Sequence, residues 1–238
     1  MTKNCELGYG CGLTCINRSK NCRDDLPPTI SNLTDKVAST IISGNYGSVS
    51  LYDDVALKEG DIGEREVEIQ SLMADGGFAP KIYEVADGKV LMERAQGKPV
   101  WADYRATDEE KANGIKLTVA QSQHLGQAIE YLHKNGYQHG DLHSLQVLQQ
   151  PTSDKITLID YGLSTSINSK AWQDVTKSAP FARYEEVDTP WAKFVTPLLA
   201  EYKTLKTSKA DKLRKEQIAQ EYLQWINTTT HSSVMLNL

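Results

Sequence analysis

The spacing of hydrophobic and polar positions changes along this chain, and the changes divide it into parts. Over residues 36–60, KVASTIISGNYGSVSLYDDVALKEG, apolar and polar residues alternate in runs rich in Val, Ile, Ser and Thr, broken at Gly44–Gly47 and again at Asp53-Asp54. A period of two interrupted by turn residues predicts three short strands. Residues 61–75, DIGEREVEIQSLMAD, place Val67, Ile69, Leu72 and Met73 at helical spacing and stop at Gly76-Gly77, which predicts a helix. PKIYEVADGKVLMER then reads as a hairpin turning at Asp87-Gly88. Three strands, a helix and two strands make a small α+β lobe.

Beyond that lobe the helical period takes over. In residues 117–136, LTVAQSQHLGQAIEYLHKNG, the positions Val119, Leu125, Ile129 and Leu132 form one stripe that ends at Gly136. ITLIDYG (156–162) is a short apolar strand running into Asp160, and WAKFVTPLLAEYKTL and DKLRKEQIAQEYLQWIN are helical. The last of these gathers Ile218, Tyr222, Leu223, Trp225 and Ile226 on one face, a pattern of core packing rather than of a partner surface. There is no internal repeat and no low-complexity linker.

Composition narrows the function classes only modestly. The chain has 238 residues, long enough for one two-lobed domain or two small ones, with 39% hydrophobic and 24% charged residues as in ordinary globular proteins. A net charge of −5 argues against a dedicated nucleic-acid binder, because no dominating positive field exists to hold a phosphate backbone. No apolar run approaches the length of a membrane span. The N-terminus, MTKNCELGYGCG, lacks the apolar stretch of a secretory signal. The expectation is a cytoplasmic protein, or one exported as an effector without a Sec-type signal peptide, with neither nucleic acid nor membrane as partner.

All four cysteines, Cys5, Cys11, Cys15 and Cys22, fall before Pro27-Pro28, which marks residues 1–28 as a separate Cys-rich segment. Their spacing lacks the paired C-x2-C knuckle of common zinc sites. A four-thiolate zinc site, two small disulfide-closed loops and plain reduced thiols all remain open.

The residues that carry chemistry lie in the main part of the chain. SGNYGSV sits between two predicted strands, where glycines let backbone N–H groups approach a phosphate. VALK ends in Lys58, a cation within a strand and therefore aimed at one fixed face. The following helix offers Glu64, Glu66 and Glu68. Glu66 has Ile69 and Met73 three and seven residues on, so it lies nearest the buried side and is the best partner for Lys58. In HGDLHSLQV, Asp141 follows a helix end, in a loop, where a general base can be presented to a substrate hydroxyl. Asp160, after a strand, is placed to ligate magnesium, and Gln146 adds an amide carbonyl.

These motifs, in this order over roughly residues 36–165, resemble the protein-kinase-like superfamily. GNYGSV is similar to its Gly-rich loop, VALK to its strand-three lysine motif, HGDLHSLQV to its catalytic loop and IDYG to its magnesium-binding motif. The resemblance implies an α+β, two-lobed kinase-like fold, with an N-lobe over 34–94 and a minimal helical C-lobe over 95–238. It implies ATP and Mg2+ as cofactors. Gly44, Asn45, Tyr46, Gly47, Ser48, Val49 and Ala56 would line the nucleotide, and Lys58, paired with Glu66, would hold its α- and β-phosphates. Met92 would be the gatekeeper, and Glu93, Arg94 and Ala95 the hinge that holds adenine. Asp141 would be the catalytic base, and Gln146 and Asp160 the metal ligands.

The chain also departs from the pattern. Ile42 stands where the loop's first glycine would be, Gly140 where many protein kinases carry arginine, and His143 where they carry lysine. Gln146 replaces asparagine but keeps the amide carbonyl that a hard cation needs. HGDLH is shared with aminoglycoside-type phosphotransferases and with atypical kinases such as the RIO group and the kinase subunit of the KEOPS complex. Asp188 in VDTPW is a candidate to buttress the catalytic loop, and the short C-terminal part resembles compact bacterial or phage-type effector kinases. The reading is an ATP-dependent phosphotransferase, foremost a protein serine/threonine kinase of minimal atypical type with a protein substrate. A small-molecule phosphotransferase and a pseudokinase-like interaction module stand as alternatives.

Overall fold

The computed structural model describes residues 9–11, 14–16, 28–33, 36–44, 47–100, 116–150 and 152–234. Two short strands, β1 (Tyr9–Cys11) and β2 (Thr14–Ile16), pair antiparallel within the Cys-rich segment. Cys5 and Cys22 lie outside the described residues, and with them the choice among zinc, disulfides and free thiols. Asn45 and Tyr46 also lie outside them.

The first lobe is a five-stranded antiparallel sheet of β3 (Thr40–Ser43), β4 (Gly47–Leu51), β5 (Val55–Gly60), β6 (Ile82–Ala86) and β7 (Lys89–Glu93), in the order β3-β4-β5-β7-β6. The period of two along β5 separates its side chains cleanly. Val55 and Leu57 pack with Leu33 and Leu91 on one face. Ala56 packs with Val90 and Met92 on the other, the face from which Lys58 also projects. Register fixes these neighbours: Val49 lies opposite Lys58, and Ala56 opposite Met92.

Helix α1 (Glu64–Asp75) joins the sheet to the rest of the molecule. Val67 packs against the Ala56–Val90–Met92 cluster, whereas Ile69 and Met73 are fully buried in the large core of the second lobe. One helix thus has an apolar side for each lobe.

The second lobe is mainly helical: α2 (Val119–Lys134), α3 (Ala171–Ser178), α4 (Pro190–Thr204) and α5 (Lys209–Val234). A capping box between Thr118 and Gln121 starts α2, and the Thr189 side chain with Pro190 at the first turn starts α4. The buried stripe of α2 (Leu125, Ile129, Leu132) meets Trp191 and Val195 of α4 and Ile218, Tyr222 and Ile226 of α5 in one core. Short strands frame the loops: β8 (Lys98–Pro99), β10 (Val147–Gln149) and β11 (Ile156–Leu158) form one sheet, and β9 (Tyr137–Gln138) pairs with β12 (Thr165–Ser166). The architecture is mixed α+β, with a sheet-rich N-terminal region and a helical C-terminal region. Among the described residues no helix is long and apolar enough to cross a membrane.

Candidate active site

Lys58 leaves β5 toward α1 and meets Glu66. Its ammonium is 2.5 Å from Glu66 Oε1 and 3.4 Å from Asp160 Oδ1. Glu66 is nearly buried on the inner side of α1, while Glu68, two residues on, faces outward and accepts the Tyr137 hydroxyl instead. Burial alone would lower the Lys58 pKa. The hydrogen bond and field of Glu66, with Asp160 beyond, outweigh it and raise the group above its ordinary value. Lys58 is therefore a fixed positive charge in the cleft between the lobes.

Around it the sheet offers an apolar shelf and open backbone groups. Val49, Ala56 and Met92 share one cluster, and Gln70 of α1 donates to the Met92 sulfur. After Met92 the chain is tied down twice, the Glu93 N–H donating to Lys81 O and the Arg94 N–H to Asp54 O. Among the described residues Ala95 makes no backbone–backbone hydrogen bond. At the other end Gly47 sits at φ 153°, and a Cβ there would lie 2.1 Å from Glu59 O. Only glycine lets β4 approach β5 this closely beneath the turn it shares with Gly44, whose N–H donates to Gly47 O. Ser48 follows in β4, half-buried, while Ile42 in β3 is exposed opposite Val49.

The loop that carries Asp141 is held from below. Asp174 of α3, almost fully buried, accepts the His139 N–H at 2.7 Å, the Gly140 N–H at 3.1 Å and His133 Nε2 at 3.1 Å. Burial works to push the Asp174 carboxyl up. The hydrogen bond and charge of His133, joined by His139, hold it below its ordinary value. The chain of contacts continues from His133 Nδ1 to the Tyr222 hydroxyl at 2.6 Å, which also receives the Trp191 indole N–H. Helix α5 is thereby linked to the loop. The buttress expected at Asp188 is not there: the Asp188 side chain is 84% exposed and pairs with Lys193 of α4. Sequence reading missed Asp174 because α3 is only eight residues long, too short for a periodic signal. The alternation of Ala171, Trp172 and Val175 with Asp174 was the one available clue, an aspartate inside a buried stripe.

Gly140 adopts φ 81°, and a Cβ there would stand 2.4 Å from Leu163 O. Glycine is required by the close passage of the two segments, so an arginine at this position would need the loop to move. His139 is fully buried, its ring tilted against that of Tyr161 and its Nε2 bonding Ile159 O. Burial lowers its pKa, against the opposing fields of Asp174, Asp160 and Asp141.

Asp141 itself is about one-third exposed and has two neighbours: Lys177 Nζ at 3.3 Å from Oδ1, and His143 Nε2 at 3.5 Å from Oδ2. The Gln146 amide nitrogen is 3.4 Å from the same His143 nitrogen. Asp160 has φ 64°, an unusual left-handed conformation for a non-glycine residue, and its carboxylate is 54% exposed with Lys58 as its ion-pair partner. Sequence-nominated residues thus fall into two groups: Lys58, Glu66 and Asp160 in one, Asp141 and Gln146 around His143 in the other. Lys177 and Asp174 were not foreseen.

The donor set suits a hard dication carried by a polyphosphate. Asp160 presents an open carboxylate and Gln146 an amide, both oxygen ligands of the kind Mg2+ takes, and Lys58 stands beside Asp160 to meet phosphate oxygens. Among the described residues there is no group of three or more His, Cys, Asp or Glu that could hold a metal by itself. Such a site would rely on the nucleotide for its remaining ligands, as magnesium sites with phosphates do.

Compared by sequence, the chain matches no family model and no curated protein. Among solved structures it is similar to the kinase PK-1 of the Cydia pomonella granulovirus, at 15% identity and a TM-score of 0.47, over 61% of this chain and 70% of that one.

Proposed function

We propose that the protein is an ATP-dependent phosphotransferase acting on an alcohol group, with protein serine or threonine as acceptor. The observation that carries this reading is Lys58 bridging Glu66 and Asp160 across the interlobe cleft. A structural ion pair would need one carboxylate, and a surface lysine would need none. A cation held by a buried glutamate, facing an exposed aspartate on a left-handed backbone, is arranged for a ligand with several negative charges.

In this reading Val49, Ala56 and Met92 cover the base, and Ala95 offers it backbone hydrogen bonds. Lys58 holds the inner phosphates, with Glu66 fixing its position. Asp160 and Gln146 hold Mg2+, which when bound neutralises phosphate charge. Asp141 accepts the proton of the acceptor hydroxyl. Its side chain is about one-third exposed, which suits a hydroxyl delivered by a macromolecule.

The test is thermal stabilisation by ATP with and without Mg2+, followed by transfer from radiolabelled ATP to generic proteins and to a cell lysate. A magnesium-dependent shift and labelled protein are expected. No shift with either would replace this reading by that of an interaction module built on a kinase-like frame.

A further inference from the structure

We propose that Lys177, carried by α3 rather than by the catalytic loop, is the cation that grips the terminal phosphate of the nucleotide beside Asp141. This rests on the phosphotransferase reading above. The ammonium lies 3.3 Å from Asp141 Oδ1, and both side chains are a little over a third exposed. An exposed pair of this kind adds little to stability, so stability does not account for the placement. Nor is the placement casual. Asp174 and Lys177 stand three residues apart on one face of α3, and Asp174 grips the backbone of His139 and Gly140. The same contact that fixes the loop therefore fixes the distance between Lys177 and Asp141.

The site has a need that this lysine meets. A general base and a terminal phosphate must come within reach of one acceptor hydroxyl, and both are anionic. Lys58 is committed to Glu66 and Asp160. The loop 139–146 carries neither lysine nor arginine: Gly140 has no side chain, and the His143 ring is engaged locally, its Nδ1 accepting the Leu145 N–H. Lys177 is the lysine that reaches Asp141.

As the acceptor hydroxyl docks on Asp141, Lys177 turns from the carboxylate to the oxygens of the terminal phosphate. The hydroxyl oxygen bonds to the terminal phosphorus while the bond from that phosphorus to the bridging oxygen breaks. ADP leaves with the electron pair, and the hydroxyl proton passes to Asp141. Lys177 offsets charge on the phosphoryl group throughout and exchanges no proton.

The test compares Mg-ATP and Mg-ADP binding by calorimetry, with ATP turnover, in wild type, Lys177→Met, Lys177→Arg and His143→Ala. ADP lacks the phosphate in question. Lys177→Met should weaken Mg-ATP about tenfold, leave Mg-ADP unchanged, and lower turnover about a hundredfold. Lys177→Arg should keep most of the ATP affinity. Equal loss of ATP and ADP affinity, or none, would overturn the assignment, as would an ATP-selective loss in His143→Ala instead. If wild type binds neither nucleotide, the phosphotransferase reading falls and this inference falls with it.

Discussion

The Asp174 carboxylate accepts the His139 N–H at 2.7 Å across 35 residues of sequence. It also receives Gly140 and His133, so three donors converge on one buried carboxylate. Removing the acceptor would leave two backbone N–H groups and an imidazole buried without it. Asp174→Ala should therefore cost about 3 kcal/mol or more, and lower Tm by on the order of 10 °C. Asp188→Ala, at an exposed pair, should leave stability near wild type. Chemical unfolding of the two variants checks this, and comparable losses would mean that the loop is held by something else.

Much of this was legible in the sequence, for reasons that can be stated residue by residue. The strands of the first lobe showed themselves because their alternation is not shared with any other burial demand: Val55 and Leu57 go one way, Ala56 and Lys58 the other. Glu66 could be singled out from Glu64 and Glu68 because Ile69 and Met73, on its side of the helix, are core residues. What was not legible depended on contacts between segments far apart. Asp174 meets His139 only after α3 folds back under the loop, and Lys177 meets Asp141 by the same return. The need for glycine at 140 comes from the passage of Leu163, which no local pattern announces.

The Lys58 ion pair gives an ordered set of variants. Lys58→Met should remove the charge without touching the core and lower phosphoryl transfer by roughly a hundredfold or more. Glu66→Gln keeps a hydrogen-bond acceptor but loses the charge, and should cost about tenfold. Glu68→Gln, which touches Tyr137 outside the cleft, should leave the rate near wild type. A rate assay on the three proteins settles the order, and a larger effect at Glu68 than at Glu66 would reject the assigned helix face.

Gly140 yields a stability and a regulatory prediction together. Gly140→Arg forces a side chain into a left-handed backbone with its Cβ against Leu163 O, and should destabilise by about 2 kcal/mol or more. Because the wild-type loop has no arginine to receive a phosphorylated segment, the activity should not need one. Protein made in bacteria should keep its rate after phosphatase treatment, and a large loss would contradict this.

Mild acidity should weaken the fold through its buried histidines. His139 and His124 both have pKa values lowered from the ordinary 6.5, chiefly by burial. Below pH 6.5 the unfolded chain then binds protons that the folded one refuses, so stability falls as pH drops from 7 toward 5. Asp174, held below its ordinary 3.8, contributes a second loss only at lower pH, as the solution passes through 3.8 and downward. Thermal unfolding from pH 7.5 to 5 should show the first loss, and His124→Gln should reduce its slope. An unchanged slope would assign the loss elsewhere.

Gln146 offers the sharpest reading of the metal side of the site. Its amide lies beside His143, which in turn faces Asp141, so its side chain is positioned by the loop rather than free. If its carbonyl ligates Mg2+, Gln146→Ala should raise the magnesium concentration needed for half-maximal rate. A neutral ligand adds to metal affinity without supplying charge, so the maximal rate should fall less than the affinity. Asp160→Ala removes a charged ligand and should weaken Mg-ATP binding itself, whereas Asp141→Ala should leave binding nearly intact and abolish transfer. Gln146→Asn shortens the reach by one methylene, roughly 1.5 Å, and the rate should drop because the loop is fitted to the longer side chain. A severalfold rise with asparagine would instead mark glutamine as a poor substitute in a weakened enzyme. A magnesium titration of Gln146→Ala that overlays wild type would remove Gln146 from the metal site and leave Asp160 as its protein ligand.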